Sequence, residues 1–488
     1  MRKIKYITIL LSGILLINSC DTKDLDLSNP NELSPDTFFK SEAQVQSAVN
    51  AAYTNLQTQG LYVRHSFFSL DNMGQDNEGN SQLEQNKRLF LNFTFDSSSD
   101  IVQTYWESCY SGINKANFVI QNQDKIDAIS ASLLTQARKN KFIAEAKFLR
   151  AYYYFLLVTR FGDIPLYDKV ESVGKARSPK ADVYKLIEAD FDFASKNLLS
   201  KTEEDKGRAT KEAAFAYLGK VLLYEKKYDE ALLAFNNVTG FGLEEEFYDN
   251  FIEEKEHGKE SVFEVEFSAN YTTDASRWGS GTSGEGLAEH TFRGQEYGVL
   301  DWFNVYPSTQ LLNSFEAGDK RYEGTFYKPG DKYNNGTMTM PAFSNARVAG
   351  WKKYQNYYKR DHENMDSGIN FKVMRYSDVL LMRAECLALK NAPDFGGAIA
   401  LIKQVRDRAN LLTTIAANKT AVFNAIVHER KVELAGEQVR FDDIIRWGLA
   451  STELAGTGFT AGKNELWPIP DRETSSNPLV AGHQNPNY

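Results

Sequence analysis

TKEAAFAYLGKVLLYEKKYDEALLAFNNVT, from Thr210 to Thr239, is the stretch whose reading decides the fold. Phe215, Leu218, Gly219 and Leu222 recur at helical spacing on one face of a first helix; after a turn at Lys226-Lys227, Ala231, Phe235 and Val238 line a second. Small residues at such positions let two helices approach, and large ones fill the gap between them. Downstream, Leu380, Arg383, Ala384 and Leu387, followed by Ala398, Ile402 and Val405, repeat the same offsets. One hairpin cannot bury its own apolar face, so two that match predict further helices stacked beside them. The expected class is mostly α.

The flanking sequence supplies such helices. Ser41 and Gln44 form a capping-box pattern ahead of Val45, Ala48, Val49, Ala52, Tyr53 and Leu56. Trp106, Tyr110, Ile113 and Asn117 keep helical spacing, as do Phe142, Ala146, Leu149, Tyr153 and Leu156, a helix that Gly162 and Pro165 should end. Ser178-Pro179 reads as N-cap and first residue of the next helix, with Val183, Ile187, Phe191, Ala194 and Leu198 inward. From Phe371 the chain reads as helical through the second hairpin and on from Thr420 to Gly448. There Glu429, Arg430, Glu433, Glu437, Arg440, Asp442 and Arg446 alternate in sign, as helix-surface ion pairs do. The tail, with Trp467-Pro468-Ile469-Pro470, should be extended chain lying against the surface.

Two stretches break the helical pattern. Between Ser66 and Phe95 periodicity is lost and Asp71, Asn72, Asp76, Asn77, Glu78 and Asn80 accumulate, which predicts an irregular loop rich in hydrogen-bonding groups. Val262 to Phe267 alternates as a short strand. After it, Ser268 to Tyr306 is rich in Gly and aromatics, among them Tyr271, Trp278, Phe292, Tyr297, Trp302 and Phe303. Loops on a rigid scaffold carry function disproportionately, and aromatics displayed on one can meet a ligand.

The amino terminus has the form of an export signal. Arg2, Lys3 and Lys5 precede an apolar run from Ile7 to Ile17, too short to span a bilayer, and Asn18-Ser19-Cys20 interrupts it. Cys20 with Ser19 before it and Ile17 three positions back looks like a lipobox, in which the Cys is acylated; Asn18 is a less usual member. The expected boundaries are a lipoprotein signal peptide over 1–19, a lipidated acidic tether over 20–40 and a single domain over 41–488, with a variable loop-rich part at about 240–370. Net charge is −9, and losing the three basic residues of the leader makes it −12, which argues against nucleic acid. Cys109 and Cys386 sit in apolar helical patterns, as buried free thiols do.

Catalytic motifs find no support. Gly279-Ser280-Gly281-Thr282-Ser283-Gly284 fits G-x-G-x-x-G, but the strand before it ends too early and no clear helix follows. Gly281-Thr282-Ser283-Gly284 misses the nucleophile elbow, and His428-Glu429 lacks the second His of a zinc motif. No metal or other cofactor is expected. A pair of glycosidase carboxylates can be neither proposed nor dismissed among so many acidic residues.

Four features together resemble the SusD/RagB family of outer-membrane nutrient-binding lipoproteins: the lipobox with its acidic follow-on; Trp106…Tyr110…Ile113…Asn117; Glu429-Arg430…Glu433-Leu434-Ala435-Gly436-Glu437…Arg440…Asp442…Arg446-Trp447; and Trp467-Pro468-Ile469-Pro470…Glu473…Asn477-Pro478…Gln484-Asn485-Pro486…Tyr488. Asn487 stands where the family has Gly, and Asn also tolerates positive φ. The resemblance implies a SusD-like fold in which four tetratricopeptide-like hairpins support a loop-rich ligand-binding half. It also implies a cell-surface protein, not an enzyme, that binds a glycan and delivers it to a SusC-like TonB-dependent transporter.

Family motifs mark scaffold, so the candidate glycan-binding residues come from the two irregular stretches: Trp278, Tyr271, Tyr297 and Asp301, with Asn72, Asp76 and Asn77. Asp274, Glu285, Glu289, Glu296 and Asp301 against Arg277 and Arg293 leave Ser268 to Tyr306 at −3, which favours a neutral, glucan-like polymer over an anionic one. A surface polysaccharide hydrolase and a peptide-binding helical-repeat adaptor are the alternatives.

Overall fold

The computed structural model describes residues 38–269, 290–363 and 367–488. Its helices are α1 (Glu42–Tyr53), α2 (His65–Met73), α3 (Gln85–Leu91), α4 (Asp100–Gln121), α5 (Gln136–Phe161), α6 (Lys180–Asn197), α7 (Lys211–Tyr224), α8 (Tyr228–Phe235), α9 (Tyr376–Leu389), α10 (Phe395–Arg408), α11 (Lys419–Glu433) and α12 (Arg440–Arg446), with shorter turns between them. Paired strands are few and short: β1 (Asn77–Gly79) with β3 (Val305–Pro307), and β2 (Ser261–Val265) with β4 (Phe371–Arg375), both antiparallel.

Neighbours in sequence are neighbours in space. From α4 to α11 each helix packs on the next, so the array closes one long interior, and α1 covers its start against α4 and α5. The Thr210–Thr239 hairpin is formed as read: Thr210 Oγ1 accepts from Ala213 N to cap α7, Lys226 turns the chain with φ of +62°, and α8 returns. Gly219 is required there, because a Cβ at that position would stand 2.6 Å from the Phe235 ring of α8. Ser41 Oγ caps α1, and Gly162, at φ of +69°, ends α5. Asn487 takes φ of +66°, the conformation for which Asn substitutes for Gly. Cys109 and Cys386 are buried free thiols.

Several elements differ from the sequence reading. Phe371–Arg375 is a strand, because its hydrogen bonds go to β2 in a layer buried on both faces, and helix begins only at Tyr376. At α6 the cap moves by one residue: Pro179 precedes the first turn and Asp163 Oδ1 accepts from Lys180 N. Thr420 to Gly448 is two helices, broken at Leu434–Gln438, where Gly436 and Gln438 both take positive φ. Its charges are buried rather than superficial: Glu429, Arg430, Glu433 and Arg440 all lie in the interior and pair with other elements. The tail does not stay on the surface either; Trp467 is fully buried against Phe90, Tyr105 and Phe161.

Candidate glycan-binding surface

The two stretches nominated from sequence come together. Glu78 pairs with Tyr306 across the β1–β3 ladder, and just past it Asn80 donates its N–H to Asn304 O at 2.9 Å and its Nδ2 to Phe303 O at 3.0 Å. Ser66 to Phe95 is therefore no open loop; α2, β1 and α3 organise it, and Asp71, Asn72, Asp76 and Asn77 are spent inside.

Asp71 Oδ2 accepts from Tyr297 Oη at 3.0 Å and Arg293 Nη1 at 3.2 Å, and Oδ1 accepts from Gln438 N at 3.0 Å. Asn77 Nδ2 donates to Tyr297 Oη at 3.0 Å and Asn72 Oδ1 at 2.9 Å, while Asn77 Oδ1 accepts from Trp351 Nε1 at 2.9 Å. Asp76 Oδ2 accepts from Gly436 N at 2.9 Å, and burial pushes its carboxyl up to about 7. Asn72, Asp76, Asn77 and Tyr297 are each at most 2% exposed, so the structure corrects their assignment: they brace the site from beneath and present nothing to a ligand. Polar side chains buried this deeply keep their place because every partner is protein.

The accessible layer lies above this network. The indole of Trp302 is half-buried and makes neither a ring contact nor a hydrogen bond with the described residues, whereas its backbone is pinned by Trp302 N donating to Gln295 O at 3.2 Å. Beside it Asp301, with an 8% exposed side chain, holds the rim: Oδ2 accepts from Tyr357 Oη at 2.5 Å and Glu363 N at 3.2 Å, and His362 Nδ1 stands 3.5 Å from Oδ1. Burial pushes the Glu363 carboxyl up to about 7. Along the β1–β3 edge, Arg347 lies over the Tyr306 ring at 3.4 Å from its centroid and pairs with Glu78 at 3.0 Å.

The charge count of this segment changes accordingly. Glu296 is fully buried between Arg64 at 2.5 Å and Lys87 at 3.3 Å, and Arg293 is committed to Asp71, so neither reaches a ligand. Tyr271, Trp278 and Cys20 lie outside the described residues. Trp302, Tyr306, Glu78 and Arg347 escaped nomination as site residues. Trp302 was visible as one aromatic among many, but only the tertiary pairing of β1 with β3 singles it out.

A helical-repeat scaffold bearing an aromatic surface on internally braced loops is the architecture of a binding protein. A family model described as the SusD family matches residues 259–458, and one described as starch-binding associating with outer membrane matches residues 23–223. The chain belongs to the SusD family. SusD-like protein P2 of Formosa agariphila is 28% identical, over 97% of this chain and 98% of its own. A SusD superfamily protein of Bacteroides vulgatus is 25% identical with a TM-score of 0.76, covering 91% of this chain and 98% of its own. A structure described as a laminarin binding SusD-like protein is 27% identical, TM-score 0.76, covering 92% and 100%.

Proposed function

We propose that this protein binds a neutral glucan-type polysaccharide or oligosaccharide at the cell surface and hands it to a SusC-like TonB-dependent transporter, without cleaving it. The observation that carries the reading is the uncommitted indole of Trp302 on a rigid, polar-backed rim. Pyranose rings with equatorial hydroxyls present apolar C–H faces that pack on such an indole, while neighbouring polar groups take the hydroxyls. Arg347 offsets Glu78, and Asp301 Oδ2 is spent on Tyr357 Oη and Glu363 N, so the charged groups of this rim are committed to protein partners and offer no cation to an anionic polymer. The similarity to a laminarin-binding relative favours a glucan, and the starch-binding family description points the same way. Tyr271 and Trp278 are proposed to contact the glycan as well.

The boundaries read from sequence belong to this proposal: residues 1–19 as signal peptide, Cys20 as the lipidated residue, 20–40 as tether and 41–488 as the binding domain. No helix among the described residues is long and apolar enough to cross a membrane; the tether proposed here is the lipid on Cys20.

Calorimetry on a panel of laminarin, starch, cellulose oligosaccharides and an anionic polymer tests the ligand class. Trp302→Ala should weaken glucan binding by about 2 kcal/mol or more, the scale of an aromatic hot spot, with its circular dichroism unchanged. Undiminished binding by the folded variant would move the site, preference for the anionic polymer would overturn the charge argument, and release of new reducing ends would make the protein a hydrolase.

A further inference from the structure

Outside the loop surface, a groove of about 420 Å³ runs along α4, within the ~300–1,000 Å³ range of small-ligand clefts. Trp106, Tyr110 and Asn114 line it at successive i, i+4 positions of α4. Tyr167 and Lys169, after α5, form the opposite wall with Arg472 and Glu473 from the tail. Trp106 and Tyr110 have ring centroids 4.8 Å apart, and Tyr167 stands edge-on to Tyr110 at 5.8 Å.

These walls are fixed from behind. Tyr110 Oη donates to Pro165 O at 2.7 Å; Asn117 Nδ2 donates to Tyr167 O at 2.8 Å, and Asn117 Oδ1 accepts from Arg150 Nη1 at 2.8 Å. Two groups facing the groove are left uncommitted. Trp106 is 3% exposed, yet its Nε1–H has no hydrogen-bond partner among the described residues, and neither has the exposed amide of Asn114. The Trp106 Nε1–H is not sealed in the interior; it opens on the groove, where it can be taken by whatever fills it. The charged groups largely cancel: Glu107 accepts from Arg472 at 2.8 Å, and Lys169 lies 3.3 Å from Glu171.

We propose that this groove is a second saccharide subsite, separate from the Trp302 surface, that takes one or two neutral sugar rings. The partly exposed Tyr110 and Tyr167 rings meet the C–H face of a sugar, Trp106 Nε1–H and the Asn114 amide donate to its hydroxyls, and Glu107 and Glu473 accept from them. The ligand class rests on the glycan-binding reading; the site rests on the groove alone. A polymer held at both places would gain avidity from linkage, which gives the second subsite a use.

The test follows indole N–H resonances of the detergent-solubilised full chain labelled at tryptophan, with Trp106 assigned through Trp106→Phe. Laminaribiose, maltose and cellobiose are the probes. At least one should shift the Trp106 resonance saturably, the shift should survive in Trp302→Ala, and Asn114→Ala should weaken it about tenfold, the equivalent of one lost hydrogen bond. A Trp106 resonance that stays still while glucan binds through Trp302 overturns the subsite and leaves the proposed function standing. Absence of binding by any probe or polymer overturns both.

Discussion

At Gly436 the chain turns with φ of +69°, and a Cβ there would stand 2.7 Å from Cζ3 of Trp351. The turn has to be this tight because its N–H reaches Asp76 and its carbonyl oxygen accepts from Arg293 Nη2 at 2.7 Å. Asp76 is thus a buried acceptor for a backbone N–H, and Asn can fill that role without a charge. Its folded pKa, about 7, lies above the ordinary carboxylate value of 3.8, so the folded state holds the proton more tightly and stability from this group falls as pH rises from about 4 to 7. Asp76→Asn should remove that slope. Denaturant titrations at pH 5 and pH 8 should show the wild type losing ~1–3 kcal/mol relative to the variant, and parallel pH dependence of the two would refute the assignment.

At the scale of elements, α11 shows how a charge pattern misleads. Glu433 is fully buried and faces three guanidiniums: Arg408 at 2.5 Å, Arg375 at 2.9 Å and Arg321 at 3.4 Å. Burial pushes its pKa up, but Arg408, Arg375 and Arg321 together hold it well below the usual carboxylate range. These partners come from α10, β4 and the short helix Lys320–Thr325, so the cluster ties the second hairpin to the loop-rich half. Glu433→Ala leaves buried cations uncompensated and should cost ~3–5 kcal/mol, read as a lowered denaturation midpoint. Asp407→Ala, which breaks the exposed Lys403–Asp407 pair at 2.6 Å on α10, should cost under ~0.5 kcal/mol. Equal losses would mean that burial does not set the difference. In sequence Glu433 and Asp407 look alike, each a charge at helical spacing from others on its own helix, because spacing reports which helix face a charge occupies and is silent on what covers that face.

Across the whole molecule, the carboxyl-terminal tail returns to the amino-terminal helices. Trp467 N donates to Arg160 O at 2.6 Å, and Arg160 itself is paired with Asp442 of α12 at one end of the array. Cys20→Ala should leave the membrane fraction, and retention after high-salt washing would refute the lipobox reading. Affinity capture of the wild type from native membranes should recover a TonB-dependent transporter, and repeated failure to recover one would refute the proposed delivery role. The helical array is the face proposed to meet such a partner.

What the sequence determined by itself is the scaffold. Helical periodicity, Gly219 against Phe235 and the caps at Ser41 and Thr210 are local or hairpin-range facts, and each is written within about twenty-five residues of chain. The family motifs could be read for the same reason, and Asn487 could be read as a residue able to take positive φ. The tertiary structure alone decided which polar residues stay accessible. Asn72, Asp76, Asn77 and Tyr297 have the composition of a binding loop, yet β1 joins β3 across more than two hundred residues and turns them inward. The same pairing leaves the Trp302 indole uncommitted. Side-chain identity sets what a residue can bond; burial, which depends on chain brought from far away, sets whether the bond is made to protein or left for a sugar.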